Sequence, residues 1–436
     1  MHVRYVFLWG GLAACVASSN DQDADAMFVT ADDASREIDR ATRSKLSQAG
    51  FAEDEIRAVG ESVVMSRRLS VQSFVKEANE SNAAGPAFAR SVRRESHGKA
   101  HACLRARFDV TTRTGSGVFQ ERASYPAWVR ISNGGAYQRD DKAAHISRGW
   151  GIKLLGVSGT PSGTQDFLFI TSPRFFIHDI RHYPNFLRST GNGRIGFIFN
   201  ALFNMSLEEK AVILHRLSLK VSNLLESPEY SAVPYSYGNE VVKYALSPCG
   251  STPPITPENM PPPDQASDDY LTEAMDATLR NSTEGVCYDF FVQRPSADDS
   301  VENPTRAWTG EFEAVARITI PLGQHAGAGG PADHTAEANV RTCESMAFDP
   351  FNSTEASRPI GKTNLTRKVV YKKLAAFRRT ELPDLFSRWR NRDDTVPAEY
   401  RNELNKLGDP ESAQPIPEET REPTIDNVFR SLGIVR

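Results

Sequence analysis

Cysteine is scarce: 5 occur in 436 residues, and no two of them form a C-x-x-C pair. That spacing removes the usual zinc and dithiol redox frameworks. No G-x-S-x-G occurs, so the nucleophile elbow of serine hydrolases is missing. The apolar stretch at 5–14 is too short to span a bilayer. Charge of one sign is lacking too: 51 Lys and Arg oppose 55 Asp and Glu, a net charge of -4, and no basic run interleaved with aromatics appears. Nucleic acid is therefore set aside as a partner. No internal repeat is visible. What remains is ordinary for a soluble globular protein, 39% hydrophobic and 24% charged, long enough for one large domain with appendages or for two or three domains.

The opening MHVRYVFLWGGLAAC combines Arg4, a short apolar run and small residues before Cys15, and reads as an export signal. Its end, Leu12-Ala13-Ala14-Cys15, looks like a bacterial lipobox, which would place lipid on Cys15 and anchor the mature chain to a membrane surface. Ordinary cleavage near Ala17 or Ser19 is the alternative. Either way the chain is expected to be exported, as a periplasmic or cell-envelope protein. Cys103, Cys249, Cys287 and Cys343 could pair in three ways or lie free in a core.

After a polar linker at 18–26, positions 31–79 are charged and periodic, with SREIDRATRSKL and RRLSVQSFVKEA predicted as helices. From His101 the period falls towards two. Strands are predicted at 103–112, 126–132, 148–157, 164–172, 240–248, 286–295 and 312–322. A helix is predicted over 206–225, where Leu and Val recur at helical spacing. Strands separated by loops around one helical insert point to an α+β protein built on a large antiparallel barrel or sandwich. The segments 252–264 and 323–333 read as surface loops, and the tail from Pro410 is proline- and acid-rich.

Some motifs carry little. GNGRIG matches a dinucleotide fingerprint but follows a helical segment, not a strand, and reads as a loop. His97 with His101, and His178 with His182, have the spacing of zinc ligands on a helix, yet Gly98 and Asp179 stand where a protease would need glutamate.

The stretch RRESHGKAHACLRARFDV resembles the distal-histidine segment of the haem catalases, with Arg94 three residues before His97 and Lys99 two after. YPAWVRIS is similar to the next segment of that family, supplying Arg130 and Ser132. RGWGIKLLGV resembles its R-G-x-A-x-K strand, and DFLFITSPRFFIHDIRHYPNF its D-x-x-x-x-x-x-P-x-F-F-x-x-D pattern with an aromatic-proline pair at Tyr183 and Pro184. MAFDPFN and LTRKVVYKK resemble the segments leading to the proximal tyrosine, here Tyr371, with Arg367 four residues before it and Arg378 seven after.

The resemblance implies an eight-stranded antiparallel β-barrel with helical additions enclosing haem b, without the flavodoxin-like C-terminal domain of large catalases. With the readings above, it divides the chain into an export signal with lipobox at 1–15, a polar linker and N-terminal helices at 16–88, a haem barrel at 89–385, and a C-terminal helix and proline-rich tail at 386–436. Tyr371 becomes the iron ligand and Arg367 the charge that favours its phenolate. Arg94, Arg130 and Arg378 become clamps for the haem propionates. On the opposite face His97 becomes the general acid-base group, Ser132 its orienting partner, and Tyr183 the aromatic beside the haem. The family's peroxide-binding asparagine reads here as Ile170 or, one residue later, Thr171; its channel aspartate reads as Ile146, and Ser96 replaces a valine.

The expected activity is that of a haem-dependent peroxidase or catalase-like oxidoreductase acting on hydrogen peroxide or organic hydroperoxides. The alternatives are a fatty-acid hydroperoxide enzyme like coral allene oxide synthase, and a haem-binding lipoprotein without turnover. A homo-oligomer stays open.

Overall fold

The computed structural model describes residues 29–80 and 94–413, apart from 95, 113–116, 121–122, 136–140, 142–147, 192–203, 255, 258–259 and 263. Positions 1–15 with Cys15, the linker at 18–26, most of GNGRIG, Ile146 and the tail beyond 413 lie outside the described residues.

Nine strands follow in chain order: β1 (Ala100–Val110), β2 (Ser124–Asn133), β3 (Arg148–Leu155), β4 (Thr164–Ile170), β5 (Glu229–Tyr230), β6 (Tyr235–Tyr237), β7 (Glu240–Pro248), β8 (Val286–Gln293) and β9 (Phe312–Ile320). Their order across the sheet is β5-β4-β3-β2-β1-β9-β8-β7-β6. Tyr230 pairs with both Ile170 and Ala245, so β5 joins β4 to β7 and eight strands close into an antiparallel barrel. The seven strands predicted from alternation are all present. Two residues in β5 and three in β6 are too few to express a period, which is why the closing strand could not be located from alternation.

Alternation sorts the side chains between two faces. Leu104, Phe108, Val129, Ile131, Trp150, Phe167 and Phe290 point into the barrel and fill it. Phe290 meets Phe108 at 5.3 Å and Phe167 at 5.1 Å between ring centroids. A barrel of this size is packed with side chains and has no room for a large ligand inside. The intervening residues of β2, β3 and β4, among them Arg130, Ser132, Gly149, Gly151 and Leu168, therefore present a second face to the rest of the molecule.

That face is covered by helices. The helix Glu53–Glu80 is the beam of the layer. Its Ile56 and Val59 share a cluster with Leu365 and Val369, its Val63 packs with Val370 and Leu374, and its Val71, Phe74 and Val75 join Phe377, Leu385, Phe386 and Trp389. Gly60 is required where the chain at Ala34 crosses this helix, because a Cβ there would lie 2.2 Å from the Ala34 carbonyl oxygen. The expected helix SREIDRATRSKL is two helices, Ala31–Glu37 and Arg40–Gln48; Asp39 breaks it and caps the second by accepting from the Thr42 amide at 2.8 Å. The expected helix over 206–225 ends at Ser218, and Val221, Leu224 and Leu225 turn into the barrel core instead. Disulfides join Cys103 to Cys343 and Cys249 to Cys287, which selects one of the three pairings. Among the described residues no helix is long and apolar enough to cross a membrane.

Candidate functional site

A cavity opens between the second face of β2, β3 and β4 and the helix Lys362–Ala376, with ≈ 980 Å³ of atom-free space that is partly open to solvent. Cross-strand register builds its wall in two rows: Arg130, Gly151 and Leu168 in one, Ser132, Gly149 and Ile170 in the other. The glycines keep this wall thin. A Cβ on Gly149 would sit 2.3 Å from His97 Cε1, and one on Gly151 2.9 Å from Phe348.

One side of the cavity is the helix that carries LTRKVVYKK. It starts behind Gly361, whose φ of 87° places it in the left-handed region. Asn364 pins it by donating to the Pro234 and Ile360 carbonyls, both at 2.8 Å. Asn364 Oδ1 then receives Arg367 at 2.9 Å, and the other terminal nitrogen of Arg367 reaches the Tyr371 hydroxyl at 3.4 Å. Arg367 and Tyr371 both line the cavity. Burial opposes the Arg367 charge, but the nearby Tyr371 and Tyr235 oxygens outweigh it and hold the guanidinium protonated. Tyr235 was not foreseen. Its phenol is buried and pushed up by that burial, while Arg367 draws it the other way.

On the other side His97 adopts φ 56°, an unusual backbone for a residue with a Cβ. Its Nδ1 lies 3.1 Å from Ser132 Oγ, and that hydroxyl also reaches the Gly149 carbonyl at 3.4 Å. If the hydroxyl donates to the carbonyl, it accepts from Nδ1–H and leaves Nε2 as a proton acceptor. His97 keeps some exposed surface only because it borders the cavity; burial, then Arg130, Arg94, Arg216 and Arg367, depress it to about 3. The ring is neutral at physiological pH.

At one end of the cavity the three predicted clamp arginines converge, and a carboxylate stands among them. Arg130 donates to both oxygens of Glu344 at 2.7 and 3.3 Å and to the His97 carbonyl at 2.9 Å. Arg94 Nε is 3.6 Å from Glu344, and Arg94 and Arg378 both donate to the main-chain carbonyls of Glu344 and Met346. Arg378 reaches this position from a π-helical turn, Phe377–Glu381, that follows the tyrosine helix. Burial works against the Glu344 charge, but Arg130, Arg94 and Arg378 prevail and hold it down at about 2.

Two predicted site residues are not in the cavity lining. Thr171 is buried with its hydroxyl accepting from the Arg148 amide at 3.2 Å, because one residue past Ile170 alternation turns the side chain away. Tyr183 heads the helix Tyr183–Gly191 and packs on Phe176 and Phe186, with ring centroids 6.3 Å from each. Ile170 and Phe175 line the cavity instead. The histidine pairs do not converge on a metal: His101 bonds Thr272 and Asn133, and His182 bonds Glu209. Among the described residues the one group with metal-ligand spacing is Cys103, Cys343 and Glu344, whose sulfurs are joined to each other.

No family model matches the chain, and no curated protein matches it. Solved structures do. A bacterial catalase aligns with TM-score 0.50 and 16% identity over 65% of this chain and 57% of its own. Catalase A from Saccharomyces cerevisiae aligns with TM-score 0.51 and 16% identity over 71% and 64% respectively. A fungal catalase gives TM-score 0.49 and 16% identity over 72% and 62%. The chain thus spans less than two thirds of the length of each. The fold is catalase-like.

Proposed function

We propose that this chain is a haem-dependent enzyme of the cell envelope that processes hydrogen peroxide or organic hydroperoxides. The observation that carries the reading is the pairing, across one cavity, of a neutral His97–Ser132 couple with the Arg367–Tyr371 couple. The donor set suits haem b: a phenol backed by a guanidinium for the metal, and three arginines at one end for two carboxylates. When bound, haem would supply the iron at which a peroxide oxygen–oxygen bond is split.

The chain's own residues divide the remaining work. Tyr371 would hold the metal, with Arg367 favouring its ionised form. His97 Nε2 would take the proton from the first peroxide oxygen and return it to the departing one, and Ser132 would keep Nδ1–H engaged so that Nε2 stays free. Arg130, which also bonds the His97 carbonyl, would tie the carboxylate end to the acid-base residue.

Among the described lining residues, the apolar side chains of Leu168, Ile170 and Phe175 offer no amide to a small peroxide and favour a lipophilic hydroperoxide, as in the second reading of a fatty-acid hydroperoxide enzyme. A haem binder without turnover is less favoured, since it would not need His97 at the cavity. Export through the N-terminal signal remains part of the proposal, supported by two disulfides, which persist in oxidising compartments. The test is to load the purified chain with haem and measure oxygen evolution from hydrogen peroxide beside consumption of a fatty-acid hydroperoxide. Faster loss of the hydroperoxide is expected; loss of neither would leave the haem binder.

A further inference from the structure

We infer that Arg174 and His215, at the rim of the cavity, form a seat for the carboxylate of a long-chain hydroperoxide whose apolar body enters past Phe175. The inference rests on the hydroperoxide reading above and adds to it the residues that would select an acid over its ester.

Both arms of the seat are fixed by the fold itself. Arg174 stands in a turn closed by Ser172, whose hydroxyl accepts from the Arg174 amide at 3.3 Å and donates to the Arg174 carbonyl at 3.1 Å. The next amide, that of Phe175, donates to the Pro304 carbonyl at 2.9 Å, and Phe175 lines the cavity. His215 belongs to the helix Leu207–Ser218. Ile213 of that helix packs with Phe175 and Phe176, and Glu209 near its start accepts the His178 and Asp179 amides at 2.8 and 3.1 Å, so helix and turn are held together. Phe175 stacks on Phe176 with ring centroids 4.6 Å apart, which continues the apolar surface from the cavity towards the rim.

The polar groups at this rim lack an anion. Among the described residues no acceptor takes the Arg174 guanidinium, and partial burial draws its pKa down with no carboxylate to oppose the shift. The carboxylates of the neighbouring helix are committed elsewhere: Glu208 accepts from Arg306 at 2.7 Å and Asn303 at 3.2 Å, and Glu209 is 2.6 Å from His182 Nδ1 besides holding its two amides. His215 Nε2 is buried without a hydrogen-bond partner, and burial, then the nearby Arg174 charge, hold the ring below its ordinary pKa. A buried imidazole nitrogen without a partner and a half-buried guanidinium without an anion are each costly. One carboxylate would satisfy both, taking charged bonds from the guanidinium fork and a further bond from the imidazole tautomer that carries its proton on Nε2. An alkyl chain leaving that carboxylate would be buried along Phe176 and Phe175 on its way to the cavity.

The experiment assays the full haem-loaded chain with a fatty-acid hydroperoxide and with its methyl ester, and separately titrates the chain with the fluorescent cis-parinaric acid and its methyl ester. Wild type is expected to favour the acid both in kcat/KM and in affinity. In Arg174→Gln that preference should fall by about tenfold or more, the size expected for a lost charged hydrogen bond, and the loss should fall on KM rather than kcat. Arg174→Lys should recover part of it, and His215→Gln, which keeps a donor, should preserve more of it than His215→Leu. Lys210→Gln, earlier on the same helix, should leave the preference intact. A wild type that treats acid and ester alike, or an equal loss for both in Arg174→Gln as a general folding defect would give, overturns the inference. If wild type turns over no hydroperoxide yet binds the acid through Arg174, the enzyme reading falls and the seat stands. If it turns over acid and ester equally, the seat falls alone, and if it neither turns over nor binds them, both fall.

Discussion

On the proposed reading, His97 is the residue on which the chemistry turns. Replacing it with Gln should lower peroxide turnover by about 10²–10⁴-fold while the Soret band of the loaded protein stays in place; a loss of the band instead would assign His97 to cofactor binding. Its depression to about 3 also sets two pH dependences. Activity should not fall as pH drops through the ordinary histidine range near 6.5, so a pH–rate profile with an inflection there would contradict the assignment. For stability, the unfolded chain binds a proton on His97 below about 6.5 that the folded chain refuses until about 3. Stability therefore declines as pH falls through that window, by at most about 1.4 kcal/mol per pH unit from this group, and His97→Gln should flatten the slope in chemical denaturation. Tyr371, Arg367, His97 and Ser132, which all line the cavity, could be picked out because each sits in a short local pattern. Glu344 was not, since its significance lies in Arg130 and Arg94, more than 200 residues earlier in the chain. Tyr235 was hidden for the same reason, and Thr171 was misplaced by a single step of strand alternation.

At the scale of elements, the strand β3 controls how close the helices and loops can approach the wall. Gly149→Ala would place a methyl 2.3 Å from His97 and displace it, so turnover should fall while haem is retained. Retained turnover would mean that His97 has room to shift without cost. The same wall is braced from β3 to β4 by Lys153, which donates to both oxygens of Asp166 at 2.6 and 2.7 Å, and Asp166 accepts the Asp349 amide at 2.8 Å from the cavity's edge. Burial, opposed by Lys153, raises Asp166 to about 6. Lys153→Met leaves that carboxyl unpaired and should destabilise the fold by about 3–5 kcal/mol in urea titration; a change below about 1 kcal/mol would show that Asp166 is carried neutral. Long alternating strands declared themselves in the sequence, whereas the two residues of β5, which close the barrel, could be seen only through Ile170 and Ala245 on either side.

For the whole molecule, the site exists only where barrel and helical layer meet, and one long helix ties that layer together from Ile56 to Val75. Trp389, 3% exposed, locks the last helices onto this beam. Trp389→Ala should cost about 3–5 kcal/mol and lower the unfolding temperature of the whole chain in one transition. A separate early transition, with the barrel unaffected, would show that the layer unfolds alone. An antiparallel barrel or sandwich with attached helices was readable from period and order, and the resemblance chose the barrel; the packing of N-terminal on C-terminal helices was not readable, because amphipathic faces do not name their partners. Tyr371 and His97 are proposed to face a haem from opposite sides of the cavity. The most direct test of this central claim is the absorption spectrum of the haem-loaded chain, wild type beside Tyr371→Phe. A tyrosinate-ligated ferric spectrum that disappears in the variant is the predicted result, and identical spectra, or no haem uptake by wild type, would contradict it.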